Sequence, residues 1–142
     1  MSKRGKVSVI GLGYIGLPTS IILSNSGFKV FGFDINDQVV NKINSGTCHI
    51  KEPGLDKALK EAISNGLIAK TTVVESDIFL IAVPTPVSKN NKPDLSYVES
   101  AIDSIIPVLK SDNLVIIEST IPVGTTELMR QKIFKNRKEL LG

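Results

Sequence analysis

Cysteine is nearly absent from this sequence: Cys48 stands alone among 142 residues. That excludes an internal disulfide framework and a cysteine-rich metal site, and a lone thiol suits a reducing compartment. No apolar run approaches the roughly 20 residues that a membrane-spanning helix needs. Met1-Ser2-Lys3-Arg4-Gly5 leads directly into a strand pattern, leaving no room for the apolar segment of a secretory leader. The expectation is a cytoplasmic protein with no membrane partner. Basic residues exceed acidic ones only by 17 to 14, and they are scattered except for Lys132 to Lys138. That run reads as a solvated helix face, so nucleic acid is not an expected partner. With 42% hydrophobic and 22% charged residues, the chain has the composition of an ordinary globular protein. Its length suits one domain with a real core and is too short for two of ordinary size.

What is present is glycine at particular places. Lys6-Val7-Ser8-Val9-Ile10 is an apolar run of strand length that stops at Gly11, and a helical pattern begins a few residues later. In Gly11-Leu12-Gly13-Tyr14-Ile15-Gly16, Gly11 permits a tight turn and Gly13 removes the Cβ that would hold phosphate oxygens away. Gly16 lets the helix pack close to the strand. The amides opening that helix, with its dipole behind them, then face a pyrophosphate. Alone, such a spacing also fits an ordinary glycine turn. The second strand, Lys29 to Asp34, decides between them by ending in a carboxylate eighteen positions after Gly16. An acid there accepts the hydroxyls of an adenosine ribose and repels a 2′-phosphate. Ile35 and Asn36 supply no arginine to offset that repulsion, so NAD is expected over NADP. Asn36 is the better cap for the helix that follows.

The rest of the chain alternates strand and helix. Leu17, Ile21 and Ile22 form the apolar side of the first helix, which stops at Gly27; Val39, Val40 and Ile43 form that of a short second one ending at Asn44-Ser45-Gly46. Thr47 to Lys51 is a linker in which Cys48 and His49 have no spaced partners to make a metal or catalytic site. Glu52-Pro53-Gly54 opens a third helix with a one-sided stripe at Leu55, Ala58, Leu59, Ala62 and Ile63, with Asp56 to Lys60 and Lys57 to Glu61 as surface pairings. Leu67 to Val74 reads as a third strand near a sheet edge. Ile78 to Val83 reads as a central strand covered on both faces. Pro84-Thr85-Pro86 then forces an extended exit that presents Thr85 at the carboxyl end of that strand. Asp94 caps a helix bearing Leu95, Val98, Ile102, Ile105 and Leu109, which Pro107 shortens. Leu114 to Ile117 reads as a fifth buried strand, leading into Glu118-Ser119-Thr120-Ile121-Pro122-Val123-Gly124-Thr125-Thr126. A last helix from about Thr126 carries Leu128, Met129 and Ile133. This alternation, with no hairpin signal, predicts an α/β fold: a doubly wound parallel sheet of order 3-2-1-4-5, Rossmann-like, in a single domain. Its carboxyl edge gathers Gly11 to Gly16, Thr85 and the segment from Thr120 to Thr126, with Asp34 at the adenosine end.

The stretches GLGYIGLP, FDIN, EPGL, AVPTP, PDLSYVESA and ESTIPVGTTE, in this order from Val7 to about Thr126, resemble the NAD-binding domain of the UDP-glucose/GDP-mannose dehydrogenase family, the nucleotide-sugar 6-dehydrogenases. The resemblance implies oxidation of a sugar C6 alcohol to a carboxylate with two NAD, through a cysteine-bound thiohemiacetal and thioester. It implies a UDP-sugar substrate, UDP-N-acetyl-D-mannosamine first, with UDP-glucose and UDP-N-acetylglucosamine as alternatives, and a place in polysaccharide biosynthesis. UDP-glucose relatives usually have lysine where Glu118 stands. By position, the resemblance assigns the amides of Tyr14 and Ile15 to the pyrophosphate, Asp34 to the ribose, and Thr85 and Thr126 to cofactor contacts. Thr120 takes the one catalytic assignment, a hydrogen bond near the nicotinamide that helps order the reactive water. In the family the nucleophilic cysteine and the uridine-binding region lie beyond the point where this chain ends, and Cys48 sits in a different segment. Residues 1–142 are therefore expected to be a truncated cofactor half, inactive alone, with homo-oligomer contacts in absent domains. A free-standing NAD-binding module acting through a partner is the other class left open.

Overall fold

The computed structural model describes residues 4–141. Met1 to Lys3, read above as part of a leader-free start, and Gly142 lie outside the described residues. The elements are β1 (Lys6–Ile10), α1 (Gly16–Asn25), β2 (Lys29–Phe33), α2 (Asp37–Asn44), α3 (Leu55–Ser64), β3 (Ile68–Lys70), β4 (Ile78–Ile81), α4 (Ser96–Ile105), β5 (Leu114–Ile117) and α5 (Thr125–Asn136). All strand pairs are parallel, and the order is β3-β2-β1-β4-β5, as the alternation predicts.

Strand alternation sends successive side chains to opposite faces, and each face has its own core. Val7, Val9 and Val30 meet Leu17 and Ile21 of α1, Val40 and Ile43 of α2, and Leu59 and Ala62 of α3. On the other face Ile10, Phe79 and Ile81 meet Val98, Ile102 and Ile105 of α4 and Met129 of α5. Burying each of these side chains larger than alanine contributes about 1.5–3 kcal/mol, which holds the helices to the sheet. Two residues placed in these stripes turn outward instead. Ile22 is 65% exposed and Leu128 is 56% exposed, each facing away from the core. Pro107 does shorten its helix: α4 ends at Ile105 and continues as a single 3₁₀ turn, Ile106–Val108.

The third strand is shorter than Leu67 to Val74. Its ladder partner runs out, since β2 ends at Phe33 and the Asp34 amide makes the last bond, to the Lys70 carbonyl. Residues 71–77 then cross to β4 without a helix, on the α4 side of the sheet. Ser8, buried in β1, fastens this strap by hydrogen bonds to the Val74 carbonyl and to Ser76 Oγ. The two sheet edges also differ. Asn44, at the end of α2, donates from Nδ2 to the Ala69 carbonyl and accepts the Ala69 amide on Oδ1, both at 2.9 Å, in the place of a neighbouring strand. At the opposite edge, β5 is not the buried strand that its composition suggests. Leu114 is 54% and Ile116 39% exposed, because no element among the described residues covers their face; Val115 and Ile117 pack toward α4 and α5.

The basic run from Lys132 to Lys138 is not merely solvated. Lys132 pairs with Asp103 at 2.8 Å, and the Arg137 guanidinium donates to the carbonyls of Ile106 and Leu109 at the end of the α4 segment.

Candidate functional site

The chain leaves β1 through a turn whose shape depends on missing side chains. Gly11 has φ +93°, a conformation costly for other residues, and its amide donates to the Phe33 carbonyl at 2.8 Å. A Cβ at Gly16 would fall 1.7 Å from the Gly11 carbonyl oxygen, so α1 can start this close to β1 only with glycine there. A Cβ at Gly13 would meet nothing within 4 Å: the space above it is open. Leu12 between them is buried and anchors the loop from below, resting on Gly32 of β2, where a Cβ would come 2.7 Å from Leu12 Cδ2. Gly32 is a part of the site that the sequence did not flag, because its role shows only once β2 lies beside the loop.

The amides of Gly13, Tyr14, Ile15 and Gly16 have no hydrogen-bond partner among the described residues. They sit at the positive end of α1, with Tyr14 and Ile15 side chains exposed. Asp34 reaches toward this loop. Its Oδ2 accepts the Leu12 amide at 3.1 Å and its Oδ1 accepts the Asn36 amide at 2.9 Å. Asn36 itself caps α2 by accepting the Gln38 amide. Two amide bonds thus fix the carboxylate's orientation while leaving lone pairs for a ligand.

A cleft of about 320 Å³ opens here, lined by Gly11, Gly13, Asp34, Ala82, Pro84 and Tyr97 among others. The structure brings Gly11, Gly13 and Asp34 into it together. Thr85 follows Pro84 at its rim, in a loop closed by an Asp94 amide bond to the Pro86 carbonyl and a Val87–Pro93 bridge. Asp94 accepts the Ser96 amide, so it turns the chain into α4 one residue before the helix boundary. Thr120 is exposed past the end of β5, where Ser119 Oγ donates to the Val83 carbonyl and ties the two strand exits together. Thr126 is exposed in the first turn of α5 and lines a second groove with Val115, Met129 and Ile133, while its neighbour Thr125 is buried.

Neither Cys48 nor His49 lines this cleft. The Cys48 amide donates to Asp56 Oδ1 at 2.8 Å, so Asp56 serves the linker rather than pairing with Lys60 as a surface bridge. Burial, then the Asp56 carboxylate beside it, push the Cys48 thiol up to about 12. The bonds from Cys48 in turn hold the Asp56 carboxyl below its usual range. A thiol this reluctant to ionise is a poor nucleophile. No group of metal-ligating side chains occurs among the described residues, and none of their helices is long and apolar enough to cross a membrane.

A parallel doubly wound sheet, a glycine turn with unpaired amides at a helix start, and an acid ending β2 define a dinucleotide-binding domain of the Rossmann type. Residues 5–141 match the model of the UDP-glucose/GDP-mannose dehydrogenase family, NAD binding domain, and the chain belongs to this family and binds NAD. It is 49% identical over 142 residues to UDP-N-acetyl-D-mannosamine dehydrogenase of Campylobacter jejuni, covering 99% of this chain and 35% of that protein. It is 50% identical over 135 residues to NDP-N-acetyl-D-galactosaminuronic acid dehydrogenase of Ralstonia nicotianae, covering 94% and 32%. Among solved structures, the UDP-N-acetyl-D-mannosamine dehydrogenase of Pyrococcus horikoshii superposes with a TM-score of 0.90 at 47% identity, over 94% of this chain and 32% of that one. The chain thus spans about a third of the length of these relatives.

Proposed function

We propose that this chain seats NAD for an enzyme that oxidises the C6 alcohol of UDP-N-acetyl-D-mannosamine to the uronic acid, consuming two NAD, in polysaccharide biosynthesis in the cytoplasm. The observation that carries this reading is the bond from the Leu12 amide to Asp34. It ties the carboxylate proposed for the ribose to the loop proposed for the pyrophosphate. In this reading Gly11, Gly13 and Gly16 shape the turn, the amides of Tyr14 and Ile15 take the pyrophosphate, and Asp34 takes the ribose hydroxyls. Thr85 and Thr126 contact the cofactor, and Thr120 holds a water near the reacting carbon by hydrogen bonding. NAD supplies the hydride acceptor when bound. The near-equal identities to the mannosamine and galactosaminuronic relatives leave the N-acetylhexosamine class better supported than UDP-glucose.

Residues 1–142 form the cofactor domain in this reading, and the thiol for covalent catalysis belongs to polypeptide outside them. The chemistry of Cys48 supports that division, since its proton is held to about 12. The experiment is a titration with NAD by calorimetry alongside an assay for NADH with UDP-N-acetylmannosamine. Binding without NADH formation is expected. NADH formed by this chain alone would overturn the assignment of the thiol, and absence of NAD binding would overturn the whole reading.

A further inference from the structure

The roles above leave one acid at the carboxyl edge unused. The β4–β5 ladder runs one step beyond β5: the Glu118 amide donates to the Ile81 carbonyl at 2.7 Å, which sets Glu118 beside Ala82. Residues two apart in an extended strand share a face, so Glu118 follows Leu114 and Ile116 onto the uncovered face of β5. Ala82 belongs to the apolar cluster of that same face, and its Cβ lies 3.4 Å from where a Cβ on Gly16 would be. Glu118 is therefore one strand spacing, about 4.8 Å, from the residue that touches the start of α1. It is exposed and makes no ion pair among the described residues, so its charge is uncompensated by any close cation.

Asp34 and Glu118 stand toward opposite ends of the strand order β2-β1-β4-β5. In a doubly wound sheet, a dinucleotide with its ribose at Asp34 and its pyrophosphate at the opening of α1 would extend its second nucleoside toward β4 and β5. That nucleoside is the part whose charge changes with redox state: the oxidised nicotinamide ring carries one positive charge and the reduced ring none. We propose that Glu118 biases this site toward the oxidised cofactor by attracting the nicotinamide ring's charge. This rests on the NAD reading given above.

The test compares the wild-type chain with Glu118→Gln and Glu118→Lys, titrating each with NAD⁺ and with NADH by calorimetry. For an exposed charge acting on the ring as proposed, a change of about threefold to tenfold in the ratio of the two affinities is expected, larger for lysine than for glutamine. The NAD⁺ dissociation constant should rise while that of NADH stays level or falls, and added salt should shrink the difference. A ratio unchanged in both variants, whether both affinities hold or both fall together, overturns the role of Glu118 and leaves the NAD reading intact. A wild-type chain that binds neither nucleotide overturns both.

Discussion

The Leu12 amide donates to Asp34 Oδ2 at 3.1 Å, joining the glycine turn to the end of β2 across 22 positions of sequence. The contact makes the acid a structural member of the loop, besides the ribose-binding role proposed for it. It also sets the orientation of the carboxylate before any cofactor arrives, which lowers the ordering cost of binding.

The glycines of the turn separate stability from binding. Gly16→Ala puts a methyl group 1.7 Å from the Gly11 carbonyl oxygen, backbone that cannot give way without moving α1. A loss of about 3 kcal/mol or more in urea unfolding is expected, or failure to fold. Gly13→Ala meets no atom within 4 Å, so stability should change by less than about 1 kcal/mol. Its NAD affinity should nevertheless fall, because the new methyl occupies the open space over the free amides. Equal stability losses in the two variants would contradict this division.

Cys48 offers a test in pH. Its folded value of about 12 lies above the ordinary 9.0, so the folded thiol keeps its proton where the unfolded one loses it. Its contribution to stability is therefore full below about pH 9 and declines as pH rises from there toward 12. With its proton held up in this way, the folded thiol should be alkylated by iodoacetamide far more slowly at pH 8 than a free cysteine. Asp56→Asn removes the neighbouring negative charge and should speed labelling. Labelling at the free-thiol rate in the wild-type chain would show that the linker does not hold Cys48 as described.

Asn44 seals the β3 edge through two bonds to Ala69. Asn44→Ala should cost about 2 kcal/mol, roughly 1 for each bond, and increase aggregation on heating through the exposed strand edge. Unfolding at the wild-type urea midpoint would show that water replaces the side chain without loss.

The features legible in the sequence are those fixed by local chemistry. The glycine spacing, the acid after Phe33 and the prolines after Val83 each act through their own backbone, and the alternation of strand and helix carried the strand order. The rest depends on partners remote in sequence. β3 stops where β2 stops offering bonds, and Leu114 and Ile116 look buried by composition but have no covering element among the described residues. Asn44, Arg137 and Asp56 work through backbone groups that no periodicity brings into view. Thr125 and Thr126 are one residue apart, yet only the helix register shows that the first is buried and the second faces a groove.

The central claim is that Asp34 and the opening of α1 act as one seat for an adenine dinucleotide. Calorimetric titration of the wild-type chain and of Asp34→Ala with NAD and NADP tests it most directly. The expected result is NAD binding that weakens at least tenfold, about 1.4 kcal/mol or more, in the variant, with NADP bound more weakly than NAD only while the carboxylate is present. Equal NAD affinity in the two proteins would contradict it.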